Sequence, residues 1–332
     1  MTAVPTVLVC PDKFKGTADA AEVAEAIASE IRRRRWLPVV RPLADGGDGT
    51  LDALSSPNRS SVVTGPHGRP VTARWYLDAG TAIIEAAECC GLVLASTDGV
   101  NDPVAATSVG VGELIRTAMD EGATRILVAV GGVATTDGGE AAARVVGRLP
   151  AHVDVEVLSD VTTAFTDAAE RFGPQKGATA EDVQTLTLRL AQQRDRYLDL
   201  FHVDVNLIAG TGAAGGLAGG LAAIGARIVP GFDAVADAVD LDGLIRRADL
   251  VITGEGRLDE TSFSGKVVGG VLARSNALER PVLGVVGSSA VPGTGFRHSA
   301  LDQVVGTARA FDDTLRAISE TTRAALDRWY SE

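Results

Sequence analysis

Short apolar runs that end at glycine-rich turns alternate along this chain with stretches of helix-forming residues. Thr6 to Cys10 reads as a first strand, Pro11 to Gly16 as a loop, and Ala20 to Arg35 as a helix that Thr17 or Asp19 can cap. A second strand, Pro38 to Leu43, ends at Ala44-Asp-Gly-Gly-Asp-Gly49. Val62 to Val63, Val71 to Leu77 and Thr81 to Ile84 read as short antiparallel strands, with turns at Gly65 to Gly68 and Asp78 to Gly80. Val111 to Glu121 is helical, Arg125 to Val130 is a strand broken by Gly131-Gly132, and Val153 to Leu158 is another strand. Ala180 to Tyr197 forms a long helix behind a Thr179 cap.

From Asp249 onward the alternation becomes regular. A strand, Leu250 to Thr253, precedes a helix, Val267 to Arg274; the strands Pro281 to Val286 and Asp302 to Gly306 follow, then a last helix, Asp313 to Trp329. Strands alternating with helices predict a parallel sheet with both faces covered. The hairpin-rich segment after Ser61 breaks that pattern. We therefore expect two α/β domains around a cleft. One, residues 1–60 with 245–332, is doubly wound and parallel, Rossmann- or flavodoxin-like; the other, residues 61–244, is an inserted mixed α/β domain. A single continuous sheet is the alternative.

Composition narrows the partners. Hydrophobic residues make up 45% of 332, enough for sizeable cores. A net charge of −12 argues against nucleic acid, whose phosphates call for clustered Lys and Arg. No apolar run is long enough to suggest a membrane span. Cys10, Cys89 and Cys90 form no secreted disulfide framework, and no signal-peptide pattern opens the chain, so a reducing, cytoplasmic setting is expected. Small molecules are the expected partners, and a homo-oligomer is left open.

The densest chemistry lies in Asp249 to Lys266. Here a strand turns at Gly254 and Gly256 and then presents Glu255, Arg257, Asp259, Glu260 and Lys266. Ligands of open α/β sheets bind beyond the carboxyl ends of strands. Lys13, Lys15 and Lys176 sit in similar turns, as do Asp12, Asp45, Asp48 and Asp137. Mixed carboxylates and cations around exposed backbone N–H groups suit phosphoryl transfer: acids to hold Mg²⁺ or take a proton, cations to offset phosphate charge. Asp45-Gly-Gly-Asp48 and Asp137-Gly-Gly-Glu140 echo each other, which suggests two similar strand-to-helix turns, one per domain. Four scattered histidines give no metal spacing, and no Walker or protein-kinase motif is present. A Gly-x-Gly-x-x-Gly at Gly210, Gly212 and Gly215 raises dinucleotide binding, hence an oxidoreductase, but a glycine packing turn explains it as well.

Seven ordered blocks carry a resemblance. They are Pro11-Asp-Lys-Phe-Lys-Gly16, Ala44 to Thr50, Glu85-Ala-Ala-Glu-Cys-Cys-Gly-Leu92, Gly131-Gly-Val-Ala-Thr-Thr-Asp-Gly-Gly139, Phe172-Gly-Pro-Gln-Lys-Gly-Ala178, Gly210 to Gly216, and Asp249 to Lys266. Over nearly its whole length the chain resembles the bacterial two-domain glycerate kinases. The resemblance implies transfer of the ATP γ-phosphoryl, with Mg²⁺, to a hydroxyl of D-glycerate or a closely similar hydroxyacid. On residue type we place Asp12, Lys15, Asp45, Asp137 and Arg257 in catalysis: Lys15 on phosphate, Arg257 on the substrate carboxylate, Asp45 or Asp137 as base or metal ligand. Glu255 and Asp259 are the expected metal residues. Gly46, Gly47, Asp48, Gly131, Gly132, Lys176, Gly210, Gly212, Gly215 and Lys266 are the expected substrate- and phosphate-binding set. The chain departs from the family pattern at Lys13 and Val133 (usually Ser), at Thr136 and Thr163 (usually Asn) and at Ala164 (usually Pro), and looks shortened between Gly147 and Val153. Those losses of polar groups motivate an alternative: a catalytically weakened paralogue that binds nucleotide or hydroxyacid in a regulatory role.

Overall fold

A computed structural model describes residues 4–96, 99, 101–263, 265–291 and 295–331. Its strands are β1 (Thr6–Val9), β2 (Leu37–Val40), β3 (Arg59–Thr64), β4 (Pro70–Asp78), β5 (Thr81–Glu85), β6 (Arg125–Ala129), β7 (Asp154–Leu158), β8 (Arg227–Val229), β9 (Leu250–Thr253), β10 (Arg257–Leu258), β11 (Val282–Val286), β12 (Ser288–Ser289) and β13 (His298–Ala300). The chain divides into two compact units, residues 1–45 with 232–332, and residues 46–231. The crossings thus fall at Asp45–Gly46 and Gly231–Phe232, not near 60 and 245. Side chains explain both shifts. Glu85, at the end of β5, binds the backbone of Gly49 and Leu51 and holds that segment in the second unit. Arg274 pairs with Asp233, Asp237 and Asp242 and holds that stretch in the first.

The first unit carries a five-stranded sheet in the order β13-β11-β9-β1-β2, all parallel. Its central strands β1, β9 and β11 are apolar on both faces because both faces are covered. Val7, Val9, Leu250, Ile252, Leu283 and Val285 share one core with the helices Ala20–Arg33 and Thr314–Ser331. Leu8 and Val251, pointing the other way, are fully buried too, and the helices Leu241–Arg247 and Val267–Ala277 also pack on the sheet. Each such large side chain contributes about 1.5–3 kcal/mol of burial. Asp19 caps the first helix in a full capping box with Glu22. The segment Asp302 to Gly306 is not a strand. It lies in a short helix, Leu301–Val305, and β13 just before it supplies the edge, pairing three residues with Gly284–Val286.

The second unit carries six strands in the order β3-β4-β5-β6-β7-β8. The first three are antiparallel and the rest parallel, the mixed sheet that its hairpin pattern suggested. Ala79 and Gly80 make the β4–β5 turn with φ of 45° and 77°, the backbone a two-residue hairpin requires. The two echoed acidic turns do share geometry: each leads into a short helix, Thr50–Leu54 or Glu140–Val146, through a left-handed glycine, Gly49 or Gly139. Both helices lie in this unit, however, rather than one in each. Among the described residues no helix is long and apolar enough to cross a membrane.

Candidate active site

The first unit gathers acids at the carboxyl edge of its sheet. Asp12 follows β1, Asp45 follows β2 and Glu255 follows β9, three neighbouring strands. The Asp12 backbone N–H donates to the Gly254 carbonyl at 2.8 Å, which ties the β1 loop to the glycine before Glu255. The Asp12 carboxylate accepts from the Lys13 N–H at 2.7 Å. Burial, and next the charge of Asp45, push the Asp12 carboxyl up to about 7, against the opposing pull of Lys13. Burial also pushes Glu255 up to about 6, with Asp259 and Asp45 adding to it and Ser262 and Lys266 opposing. Glu255 Oε1 is buried with no hydrogen-bond partner. The charge of Asp45 therefore raises the cost of ionising Asp12 and Glu255, and a proton or a cation relieves that cost.

The rest of the Glu255–Lys266 stretch surrounds this rim. Asp259 is occupied locally: its Oδ1 accepts from the Thr261 N–H at 2.9 Å and hydroxyl at 2.6 Å, and these bonds hold its carboxyl below the usual range. Arg257 lies in β10, largely exposed, with Nε 4.0 Å from Asp259. Lys266 precedes the helix Val267–Ala277 and donates to Thr261 Oγ1 at 3.1 Å. Gly256 lets the loop of Phe14 and Lys15 close in, since a Cβ there would stand 3.3 Å from Phe14 Cα and 3.4 Å from Lys15 N. Lys15 itself is exposed. Among the described residues no group of three or more His, Cys, Asp or Glu side chains could hold a metal alone.

The second unit holds the glycine turns. Gly46 packs on Leu158 and Gly231. A Cβ on Gly131 would stand 2.5 Å from Gly47 Cα and 2.7 Å from Asp48 N, so only glycine lets these two loops touch; Gly132 faces the Asp48 side chain. Beneath them lies Glu85, buried, with both oxygens 2.9 Å from the Gly49 N–H and Oε2 3.2 Å from the Leu51 N–H. Burial dominates and raises its carboxyl above the usual range, with Asp48 and Glu88 adding to the effect. Glu85 is not among the site residues expected from the sequence. The signal was an acid placed directly after the apolar run Ala82 to Ile84.

Asp137 accepts from the Ser108 N–H at 2.9 Å, the Ser108 hydroxyl at 2.7 Å and the Gly139 N–H at 3.0 Å. Ser108 Oγ accepts in turn from the Ala142 N–H at 3.1 Å. Asp137 thus fastens the starts of the helices Val109–Asp120 and Glu140–Val146 together. Lys176 turns inward and donates to the Thr135 carbonyl at 2.5 Å. Gly210, Gly212 and Gly215 press on the carbonyls of Val161, Ala164 and Thr135. The segment before them is a single 3-10 turn, Val205–Leu207, not a strand, so the dinucleotide reading is withdrawn. Two of the departures from the family pattern are internal too. Val133 is buried and bridges to Gly91, and Thr136 is fully buried with an unpartnered hydroxyl. At 163 and 164 the contacts with Gly212 come from backbone carbonyls.

Comparison with known proteins identifies the family. A sequence model described as the glycerate kinase family matches residues 7–149 and 144–330. The chain is 35% identical to glycerate 2-kinase of Escherichia coli K12 and 36% identical to glycerate kinase of Bacillus subtilis 168, covering 85% of both chains in each case. A crystal structure assigned to glycerate kinase 2 of Salmonella typhimurium LT2 superposes with a TM-score of 0.84 at 33% identity, over 99% of this chain and 98% of that one. With both halves matched and the fold shared end to end, the chain belongs to the glycerate kinase family.

Proposed function

We propose that this kinase moves the γ-phosphoryl group of ATP, with Mg²⁺, onto a hydroxyl of D-glycerate. The acid rim of Asp12, Asp45 and Glu255 carries the proposal, because phosphoryl transfer needs a proton acceptor beside a cation site. Asp12 is the base: the glycerate oxygen bonds to the γ-phosphorus, the bond to the ADP oxygen breaks, and the hydroxyl proton passes to the Asp12 carboxylate. A group poised near 7 is well matched to that task at neutral pH. Exposed Lys15 and half-buried Lys266 suit phosphate oxygens, and Arg257 suits the flat substrate carboxylate.

The residues fit a magnesium ion. Mg²⁺ is commonly held by one or two carboxylates together with substrate phosphates, so a three-acid cage is not needed. Glu255, with its unpartnered Oε1, and Asp45 beside it would hold the ion; Asp259, engaged by Thr261, would act from further out. When bound, the ion would offset phosphate charge. The burial of Val133 and Thr136 weakens two of the three motives for reading the chain as a weakened paralogue; the third, Thr163, is half-buried.

The Escherichia coli relative is a glycerate 2-kinase, which favours the 2-hydroxyl here as well. One assay tests the reaction and its position. Purified protein with ATP, Mg²⁺ and D-glycerate is expected to release ADP, and its product to be dehydrated directly by enolase, which accepts 2- but not 3-phosphoglycerate. No ADP from D-glycerate or a panel of short hydroxyacids overturns the proposal.

A further inference from the structure

Lys176 is a charged side chain with only 4% of its surface exposed. Sequence reasoning placed it on phosphate, yet its Nζ points into its own unit, 2.5 Å from the Thr135 carbonyl. Its main chain is held as firmly. Asn101 Nδ2 donates to the Lys176 carbonyl at 2.9 Å and to the Ala134 carbonyl at 3.3 Å. Lys176 and Asn101 therefore grip Ala134 and Thr135 from two sides. Gly215 makes the room: a Cβ there would stand 2.9 Å from Nζ and 2.3 Å from the Thr135 oxygen, with φ already at +67°.

A buried ammonium is costly unless its surroundings use the charge. Two titratable groups face it: the Asp137 carboxylate, which favours the charged form, and the Cys90 thiol, which does so only when ionised. Asp137 already accepts from Ser108 and Gly139, so it acts on Lys176 through its field. Two neutral acceptors of the same turn region, Asn101 Oδ1 and Thr136 Oγ1, are buried without a hydrogen-bond partner. An ammonium has three donors, and charge-assisted bonds are the strong ones.

We propose that Lys176 is a positioning residue: its buried ammonium draws the Thr135 carbonyl inward and so fixes the Gly131–Gly139 turn in the conformation used in turnover, touching neither substrate. Because a trans peptide is planar, a carbonyl turned toward Nζ turns the Thr136 N–H the opposite way. The rest of the turn follows from that plane, including Gly131 against the Gly47–Asp48 loop and Asp137 against Ser108. Burial pushes Lys176 down to about 8. The charge is therefore present at neutral pH and lost as pH rises past that value, which gives turnover an alkaline limb.

This inference rests on the kinase reading above, and the test separates the two. The full-length enzyme is compared with Lys176→Met, which removes charge and donor, and Lys176→Gln, which keeps an N–H donor for the Thr135 carbonyl. For Lys176→Met we expect kcat to fall by roughly 30–100-fold, with KM for ATP and glycerate within about threefold of wild type and no alkaline limb. Lys176→Gln should recover part of kcat, also without the limb, and it carries the test if the methionine variant does not fold. A tens-fold rise in either KM at unchanged kcat overturns the proposal, since Lys176 would then be a ligand for substrate. Unchanged kcat and limb overturn it too. Should wild type show no turnover, the kinase reading fails, and amide hydrogen exchange across residues 131–139 decides instead. Exchange faster by about tenfold in Lys176→Met, and less so in Lys176→Gln, supports the strut; equal exchange in all three removes it.

Discussion

The acids of the two units are used in opposite ways. In the second unit Asp137 meets three donors and Glu85 meets two backbone N–H groups, and each fastens the start of a helix. In the first unit Asp12 and Glu255 crowd against Asp45; both are raised, as Glu85 is, but Glu255 keeps one oxygen unpartnered. A satisfied carboxylate is scaffolding; a crowded and undersatisfied one is poised for a proton or a cation. The same residue types at similar turns thus separate into structure and chemistry by their donors alone. The cations divide in the same way. Lys176 is buried and bonded to backbone, whereas Lys15 and Arg257 stand exposed.

Substitutions can break this comparison. The largest effect is expected for Asp12→Asn, a loss of about 10³-fold in kcat, the scale of a missing general base. The same variant should be the more stable one at high pH. A raised carboxyl pKa means that the folded state binds the proton more tightly than the unfolded chain, so stability falls as pH climbs from about 4 through about 7. Asp12→Asn should therefore melt above wild type at pH 8 and level with it at pH 4. Glu255→Gln comes next, with Mg²⁺ affinity in turnover lowered by roughly 10–100-fold, read from a magnesium titration of the rate.

The scaffolding contacts of the second unit should answer first in stability. Gly131→Ala drives a methyl into Gly47 and Asp48, and we expect about 1–3 kcal/mol lost in denaturant unfolding. Glu85→Ala leaves the Gly49 and Leu51 N–H groups without their acceptor, at about 1–3 kcal/mol by the same measurement. Normal stability in either variant would sink the scaffolding half of the comparison.

Much of this was legible in the sequence. The apolar runs Thr6 to Cys10 and Leu250 to Thr253 predicted buried parallel strands, because only a sheet covered on both faces tolerates such continuity. The acids that follow them were flagged by position alone, and Asp12 and Glu255 do share one rim with Asp45. What could not be read was which donors each acid would meet. Asp45-Gly-Gly-Asp48 and Asp137-Gly-Gly-Glu140 look alike in letters, yet Asp137 differs because Ser108, remote in sequence, folds onto it. Lys176 looked like a phosphate ligand since nothing local reveals that Gly215 opens space for it inside. Likewise Asp302 to Gly306 carried strand-like valines, but the edge needed only the three residues before it. Long-range partners, not local pattern, decided each of these.

The central claim is that Asp12, raised by burial and by the charge of Asp45, is the base. The pH dependence of kcat/KM for D-glycerate, measured side by side for wild type and Asp12→Asn, tests it most directly, because this profile reports the free enzyme's groups. The account predicts a wild-type rate that rises through about pH 7, ahead of the alkaline limb set by Lys176, and a low profile without that rise for the variant. An acid limb that survives unchanged in Asp12→Asn would contradict it.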